Sequence, residues 1–145
     1  MPDRPGSPAS RQKSKIPQAA AVPFRVNSAG ACEVLLIRRR PRGDWGIPKG
    51  MIDPGHTAPE AAAIEAFEEA GIEGELLPKT LGAFEYPKFG RTCHVDVFGL
   101  RVTRVHDHYD EERLRERGWF PLAHAVRLVK RPGVARLIAR IEAHC

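Results

Sequence analysis

The sequence lacks long apolar runs. None approaches the ~18 residues that a membrane helix needs, and the N-terminus has no apolar segment typical of a secretory signal. Cysteine is also scarce: Cys32, Cys93 and Cys145 are odd in number and have no metal-ligand spacing. We therefore expect no membrane span and no zinc site, and the cysteines predict reduced thiols in a cytoplasmic protein.

The chain is too short for two hydrophobic cores, since its 145 residues, 42% of them hydrophobic, suffice for one domain. Residues 1–17 contain four prolines and three serines, and four basic residues against one aspartate give them +3 of the formal +5 charge. This composition predicts a disordered basic tail at 1–17 and a folded domain at 18–145. Because most of the net charge lies in the tail, we expect no nucleic-acid partner.

The apolar pattern predicts strands on both sides of one helix. Thr57 and Glu60 form a capping-box pattern at its start, Pro59 suits the first turn, and Gly71 suits a left-handed end. Strands, one helix, more strands and then helices predict an α+β fold. Extended segments are predicted at 19–26, 32–38, 45–48, 76–86, 92–105 and from 119, and further helices at 122–129 and 134–143.

Three glutamates, Glu65, Glu68 and Glu69, are spaced i, i+3, i+4 along this helix and so lie in one narrow stripe. Their mutual repulsion costs a few tenths of a kcal/mol per pair, and a bound cation would remove that cost. Oxygen-only ligands favour Mg²⁺ or Mn²⁺. The alternative is a solvated acidic helix face. The opposite, buried face is predicted to consist of Ala63, Ala66, Phe67 and Ala70.

The preceding segment, residues 45–55, has three glycines and two prolines, which predicts a fixed loop. Loop and helix together resemble the Nudix box, the signature of the Nudix hydrolases. The resemblance implies an α/β/α sandwich around a mixed β-sheet, with the box helix packed on it. It also implies a metal held by the Gly50 carbonyl, Glu65 and Glu69, with Glu68 as a further ligand or as the catalytic base. The matching positions are Gly50, Glu65, Ala66, Glu68, Glu69, Gly71 and Ile72.

Two positions depart from the family pattern. His56 stands where the box has a glutamate, and Ile64 where it has an arginine. In the family these two residues mainly brace the loop. Because both charges are absent together, neither is left unpaired, and we interpret the change as a substituted brace. The alternative is a Nudix domain that binds or regulates and hydrolyses slowly or not at all.

Basic residues flank the box, with Arg38, Arg39 and Arg40 after a predicted strand and Lys49 inside the loop. Such a cluster suits a substrate richer in phosphate than a nucleoside triphosphate, and the alternative is charged, solvated loops. A second acidic cluster at 110–112 is interpreted as a solvated loop rather than a base. The predicted substrate-binding residues are Arg25, Arg38, Arg39, Arg40, Lys49, Lys88 and Arg91.

Motifs outside the box indicate a branch of the family. Segments 18–25, 34–37 and 117–128 resemble the diphosphoinositol polyphosphate phosphohydrolases, whereas 48–50 is closer to diadenosine polyphosphate hydrolases. The resemblance implies a Mg²⁺- or Mn²⁺-dependent pyrophosphohydrolase that acts on a small-molecule polyphosphate. The substrate is expected to be nucleoside-diphosphate-linked or highly phosphorylated, either a diphosphoinositol polyphosphate or a dinucleoside polyphosphate. An RNA-cap or nucleotide-processing enzyme is a further alternative. We expect a monomer or a homodimer.

Overall fold

A computed structural model describes residues 15–145 and shows a seven-stranded sheet with helices on both faces. Residues 1–14 of the predicted tail lie outside the described residues, and the first strand begins at Ile16, inside the predicted tail. No helix in the described part is long and apolar enough to cross a bilayer. The strands are β1 (Ile16–Val26), β2 (Cys32–Arg39), β3 (Lys49–Met51), β4 (Ile72–Leu76), β5 (Gly82–Lys88), β6 (Arg91–Val105) and β7 (Arg115–Pro121), and the helices are α1 (Ala58–Ala70), α2 (Leu122–Leu128) and α3 (Pro132–Ala139), followed by a 3₁₀ turn at Arg140–His144.

The sheet is mixed, as the family resemblance implies. Its order is β4-β6-β1-β2-β7, with β1 and β6 parallel and the other pairs antiparallel. The long strand β1 has two partners on one side, because residues 18–20 pair with β3 and residues 24–26 pair with β2. The short strand β3 lies within the box loop, residues 45–55. The loop is therefore fixed to the central strand of the sheet.

Two helical layers cover the sheet because the side chains of β1 alternate between its faces. Ala19 and Ala21 pack with α1, whereas Ala20 and Val22 pack with α2 and α3, and all four are 0% exposed. A strand buried on both faces reads as a continuous apolar run, and its small side chains let α1 approach closely. The α/β/α sandwich with the box helix on one face is therefore confirmed.

Helix α1 begins and ends where its capping residues predict. The Thr57 hydroxyl accepts the Glu60 N–H at 3.2 Å, the Glu60 carboxylate accepts the Thr57 N–H at 2.9 Å, and Gly71 ends the helix at φ 66°. The predicted buried face is wrong in part. Phe67 is 43% exposed and Glu69 only 6%, because the Glu69 carboxylate finds partners on β3 and β7. The buried residues of α1 are Ala61, Ala62, Ala66, Glu69 and Ala70.

The predicted strands differ from the observed ones mainly where they start. Residues 45–48 contain a single bridge instead of a strand. The extended stretch 76–86 is divided between β4 and β5 by a bend at 78–79. The last strand begins at Arg115, ahead of the predicted start at Trp119. Its first residues are charged, so an apolar pattern could not reveal them.

Two of the three cysteines form a disulfide, and the prediction of reduced thiols is wrong for them. Cys32, at the start of β2, is bonded to Cys145 with the two Cα atoms 5.8 Å apart. Sequence spacing carries no sign of this pair, because it depends on how the C-terminal turn folds back over 113 positions. Cys93 is buried and keeps a free thiol.

Candidate active site

The box loop lies against the central strand through β3. Lys49, Gly50 and Met51 pair antiparallel with residues 18–20 of β1. A Cβ on Gly50 would overlap the Glu65 carboxylate, which would then have to move away from the loop. Gly50 thereby brings its backbone next to a carboxylate with which it is predicted to share a metal.

Glu69 is the most buried of the three box glutamates, and both its oxygens have partners. The Lys49 N–H donates to Oε1 at 3.0 Å, and Arg115 Nη2 lies 3.2 Å from Oε2. Burial raises the pKa of Glu69, while Arg115 and the Lys49 N–H oppose that rise. Glu69 therefore links the box loop, α1 and β7.

Glu65 is half-buried and lies among other carboxylates. Burial, followed by Glu69 and Glu68, raises its pKa to about 7. Carboxylates held this close together favour a proton or a cation, and oxygen donors suit a hard divalent ion such as Mg²⁺. The residues present thus fit the implied metal. Within residues 15–145, no three acidic, histidine or cysteine side chains already form an ion-holding group, and Glu69 is paired with Arg115 instead.

The loop before β7 adds a fourth carboxylate and differs from the solvated loop predicted at 110–112. The Glu111 N–H donates to the Glu68 carbonyl at 3.1 Å, and the Glu111 carboxylate accepts from Arg115 Nε at 2.7 Å. Asp110, by contrast, is exposed. The contact of Glu111 with α1 depends on tertiary packing, so the local sequence did not indicate it.

A basic cleft of about 330 Å³ opens beside Glu69. Lys49 and Arg115 both line the cleft, the Lys49 N–H donates to Glu69, and Arg115 forms an ion pair with Glu69, so the cleft and the carboxylates form one site. Arg39 lies directly opposite Arg115 in the β2–β7 register, which places like charges side by side. An anion in the cleft would relieve this repulsion. The charged residues of the lining are Arg38, Arg39, Asp44, Lys49, Arg115, Lys130 and Arg131.

The structure brings three of the predicted substrate-binding residues into this lining, and sequence reasoning missed three others. Arg38, Arg39 and Lys49 are the predicted ones. Lys130 and Arg131 were visible as a basic pair just before a helix, but nothing local related them to the box. Arg115 lies in a run of alternating charges that is typical of an exposed strand. The missed cations are Arg115, Lys130 and Arg131.

The other four predicted cations lie outside the lining of the cleft. Arg25 pairs with Glu33 at 2.9 Å. Arg40 donates from Nε to a carbonyl of the loop before β7 at 3.1 Å. Lys88 and Arg91 stand opposite each other across the β5–β6 hairpin. The basic run at 38–40 is therefore divided between two places. Because β2 ends at Arg39, Arg38 and Arg39 line the cleft and Arg40 lies outside it.

The box loop has support other than the charged brace of the family. His56 is exposed, and Ile64 is half-buried. Beneath the loop, Lys49 Nζ donates to the Tyr86 hydroxyl at 3.2 Å, and that hydroxyl donates to Gln18 Oε1 at 2.7 Å. Gln18 is 3% exposed and Tyr86 7%. The pairing of β3, the capping box and this buried chain of hydrogen bonds support the interpretation of a substituted brace.

The metal-free protein is expected to lose stability as pH rises from about 4.5 to about 7. In this window folded Glu65 keeps a proton that the unfolded chain has released, so the free energy of unfolding falls with increasing pH and levels off above pH 7. The full shift corresponds to about 3 kcal/mol, which half-exposure of the side chain reduces to roughly 1–2 kcal/mol. Urea denaturation with a chelator at pH 5 and pH 8 measures the change.

Glu65→Gln isolates this effect from other titrating groups. The variant should lose less stability than wild type between the two pH values, by about the same 1–2 kcal/mol. Saturating Mg²⁺ should also flatten the wild-type profile, since the ion stabilises the ionised carboxylates. Equal pH dependence in the two chelated proteins would mean that folding does not raise the pKa of Glu65.

Comparisons with known proteins agree with this geometry. The sequence pattern of the NUDIX domain matches residues 15–141. The chain is 33% identical to Nudix hydrolase 12, mitochondrial, of Arabidopsis thaliana over 72% of its own length and 56% of that protein. It is 32% identical to diphosphoinositol polyphosphate phosphohydrolase 2 of Rattus norvegicus, over 88% of the chain and 72% of the relative. The chain thus spans little more than half of the Arabidopsis relative.

The fold comparison gives the same result. The crystal structure of the C. elegans Ap4A hydrolase superposes with a TM-score of 0.73 at 23% identity, covering 90% of this chain and 98% of that one. Identity this low establishes the fold alone. The domain match, the rat relative and the box geometry together identify the family, and the chain is a member of the Nudix hydrolase family.

Proposed function

We propose that the protein is a Mg²⁺- or Mn²⁺-dependent hydrolase that cleaves a phosphoanhydride bond in a small molecule with several phosphates. The observation that carries this proposal is the junction of the carboxylate cluster with the basic cleft through Arg115 and Lys49. Phosphoanhydride hydrolysis needs neutralised phosphate oxygens and a water held in line. The cleft supplies cations for the first task, and the carboxylates supply acceptors for the second.

The box residues have separate roles in this proposal. Glu65 and Glu69, with the Gly50 carbonyl, would hold the divalent ion, which when bound neutralises phosphate charge and acidifies a water. The Glu69 carboxylate forms an ion pair with Arg115 and accepts the Lys49 N–H, and Glu65 lies against Gly50. Glu68 is therefore the candidate that accepts the proton of the attacking water.

The lining of the cleft favours phosphates over a nucleobase. Its two aromatic rings are not open for stacking, because Phe84 is 8% exposed and Arg38 covers Trp45 with Cζ 4.5 Å from the ring centre. Of the six cations in the lining, three are paired with carboxylates: Arg38 with Glu116, Arg115 with Glu111 and Lys130 with Asp44. The other three still favour a partner of high negative charge. We therefore place diphosphoinositol polyphosphates first, which agrees with the name of the rat relative, and dinucleoside polyphosphates second.

A hydrolysis assay over three substrates tests the proposal. A diphosphoinositol polyphosphate, a diadenosine polyphosphate and a nucleoside-diphosphate sugar are each incubated with Mg²⁺ and with Mn²⁺, and product release is followed. We expect turnover of about 1–10² s⁻¹ for one of the first two. Preference for the nucleotide sugar would overturn the substrate assignment. No turnover of any of them would favour the binding domain that hydrolyses slowly or not at all.

Restoring the family's brace separates these two alternatives. If the loop is already held, His56→Glu combined with Ile64→Arg should change kcat by less than about tenfold. If the loop is poorly held, carboxylates misplaced by ~1 Å cost ~10²-fold, and the double variant should gain that factor. Ile64→Arg alone should lower the melting temperature, because it adds a half-buried charge without a partner. Steady-state kcat and thermal melts of the single and double variants measure both effects.

A cytoplasmic location and a monomeric or homodimeric state are also proposals. The location no longer draws support from reduced thiols, because Cys32 and Cys145 are bonded.

A further inference from the structure

The guanidinium of Arg115 is shared unequally between two carboxylates. Its Nε lies 2.7 Å from Glu111 Oε1, and its Nη2 lies 3.2 Å from Glu69 Oε2. Charge-assisted hydrogen bonds of this kind usually measure about 2.7–2.9 Å. The contact with Glu111 is therefore a hydrogen bond of normal length, whereas the contact with Glu69 is an ion pair without one. Arg115 can release Glu69 while Glu111 still anchors it.

Glu69 has one oxygen that is free of backbone bonds in the described part of the chain, and Arg115 occupies it. Oε1 accepts the Lys49 N–H, and Oε2 faces Arg115 Nη2. The pair is well shielded from water, since the side chains of Glu69 and Arg115 are 7% and 22% exposed. A metal at the box needs an oxygen of Glu69, so Arg115 competes with the metal for the same ligand atom.

Arg115 also belongs to the lining of the cleft. Arg115 lines it together with its cross-strand neighbour Arg39. Two guanidinium groups directly opposite each other repel, and a phosphate between them would convert that repulsion into two charge-assisted contacts. Arg115 thus stands between an acidic partner that the metal also needs and an anion that the substrate supplies.

We propose that Arg115 is a positioning residue that neutralises Glu69 in the metal-free protein and turns to substrate phosphate when a divalent ion binds at the box. Glu111 holds the guanidinium throughout. The exchange couples the two binding events, because a metal at Glu69 frees Arg115 for phosphate and a phosphate draws Arg115 away from Glu69. Such coupling is reciprocal by thermodynamic necessity. This inference rests on the proposed function for its substrate, but its metal half is testable without one.

Titration of Mn²⁺ or Mg²⁺ into the full-length protein without substrate tests the competition. Arg115→Met keeps the apolar stem but removes the charge, so the dissociation constant for the metal should fall by about three- to tenfold, the size expected for losing one shielded competing ion pair. Arg127→Met makes the same change on the exposed side of α2 and should leave the constant within about twofold. Unchanged or weaker metal binding in Arg115→Met would overturn the proposal.

A measurement on the wild type covers the case in which Arg115→Met does not fold without metal. The arginine side-chain NMR signals are followed during Mg²⁺ addition, with the Gly50 amide as the reporter of metal binding. The Arg115 signal should shift in parallel with that of Gly50. A shift at Gly50 without one at Arg115 would show that the guanidinium does not respond to the ion. Absence of hydrolysis with intact metal coupling would count against the proposed function and not against this inference.

Activity gives a third readout that a purely structural role would not produce. Arg115→Met should raise KM for a phosphate-rich substrate by about tenfold while the metal concentration needed for half-maximal activity falls. Arg115→Lys, which keeps a charge in the cleft but not the forked contact, should lie between Arg115→Met and wild type in both quantities. Parallel weakening of metal and substrate binding would point to simple loss of structure instead.

Discussion

Replacing Glu69 or Glu65 with glutamine is expected to lower kcat by about 10²-fold or more and to leave the fold intact. The amide has the shape of the carboxylate but no charge, so it is a poor ligand for a hard divalent ion. In Glu69→Gln the remaining oxygen can still accept the Lys49 N–H. In Glu65→Gln the repulsion among the box carboxylates falls, so the metal-free variant should be at least as stable as wild type.

The measurement is kcat on a phosphate-rich substrate at saturating metal, together with thermal melts in chelator. Glu75→Gln is the matched control, because Glu75 is an exposed carboxylate on β4, away from the box stripe. Its kcat should stay within about twofold of wild type. Near-wild-type turnover in both Glu65→Gln and Glu69→Gln would remove these carboxylates from the metal site and with them the proposed chemistry.

The parts of this site that could be predicted are those with local causes. The i, i+3, i+4 spacing of the glutamates fixes their common stripe once a helix forms, and the capping residues Thr57 and Gly71 fix where that helix begins and ends. Gly50 could be identified because it is a fixed position of the Nudix box. Its physical reason, contact with the Glu65 carboxylate, appears only when the loop packs on α1.

The parts that could not be predicted depend on contacts between distant segments. Glu111 and Arg115 reach the box because β7 pairs with β2 and carries its preceding loop over α1. Arg131 reaches the cleft through the start of α3. The rotation of α1 that buries Glu69 has the same origin, since its partners lie on β3 and β7. The charge content of residues 110–112 indicates only a solvated loop and gives no sign of these contacts.

The second large effect is expected from removing two arginines that line the cleft. Arg39 and Arg131 line the cleft, whereas Arg40, next in sequence to Arg39, lies outside it and bonds to the loop before β7. Arg39→Met combined with Arg131→Met should therefore lower kcat/KM for a phosphate-rich substrate by about 10²-fold. Each charge-assisted phosphate contact contributes ~1.5 kcal/mol or more, about tenfold per contact. Methionine keeps an apolar stem of similar length, which limits the loss of packing.

Most of this loss should appear in KM. The cleft contacts phosphates that do not react, so these contacts stabilise the bound substrate and the transition state about equally. A substrate with only two phosphates has none beyond the reacting pair to place in the cleft, so we expect its kcat/KM to fall by less than about tenfold. Arg40→Met should change neither substrate by more than about twofold. Equal losses for the two substrates, or a loss in Arg40→Met as large as in the double variant, would show that the cleft does not discriminate phosphate number.

Salt dependence supplies an independent check on the same pair of arginines. Both side chains are exposed, so their attraction for a polyphosphate is screened over a Debye length of about 8 Å at physiological ionic strength. Raising the salt concentration should increase the wild-type KM for the phosphate-rich substrate steeply and that of the double variant only weakly. The two proteins should therefore converge at high salt. Parallel salt profiles would mean that the lost affinity came from altered packing and not from lost charge.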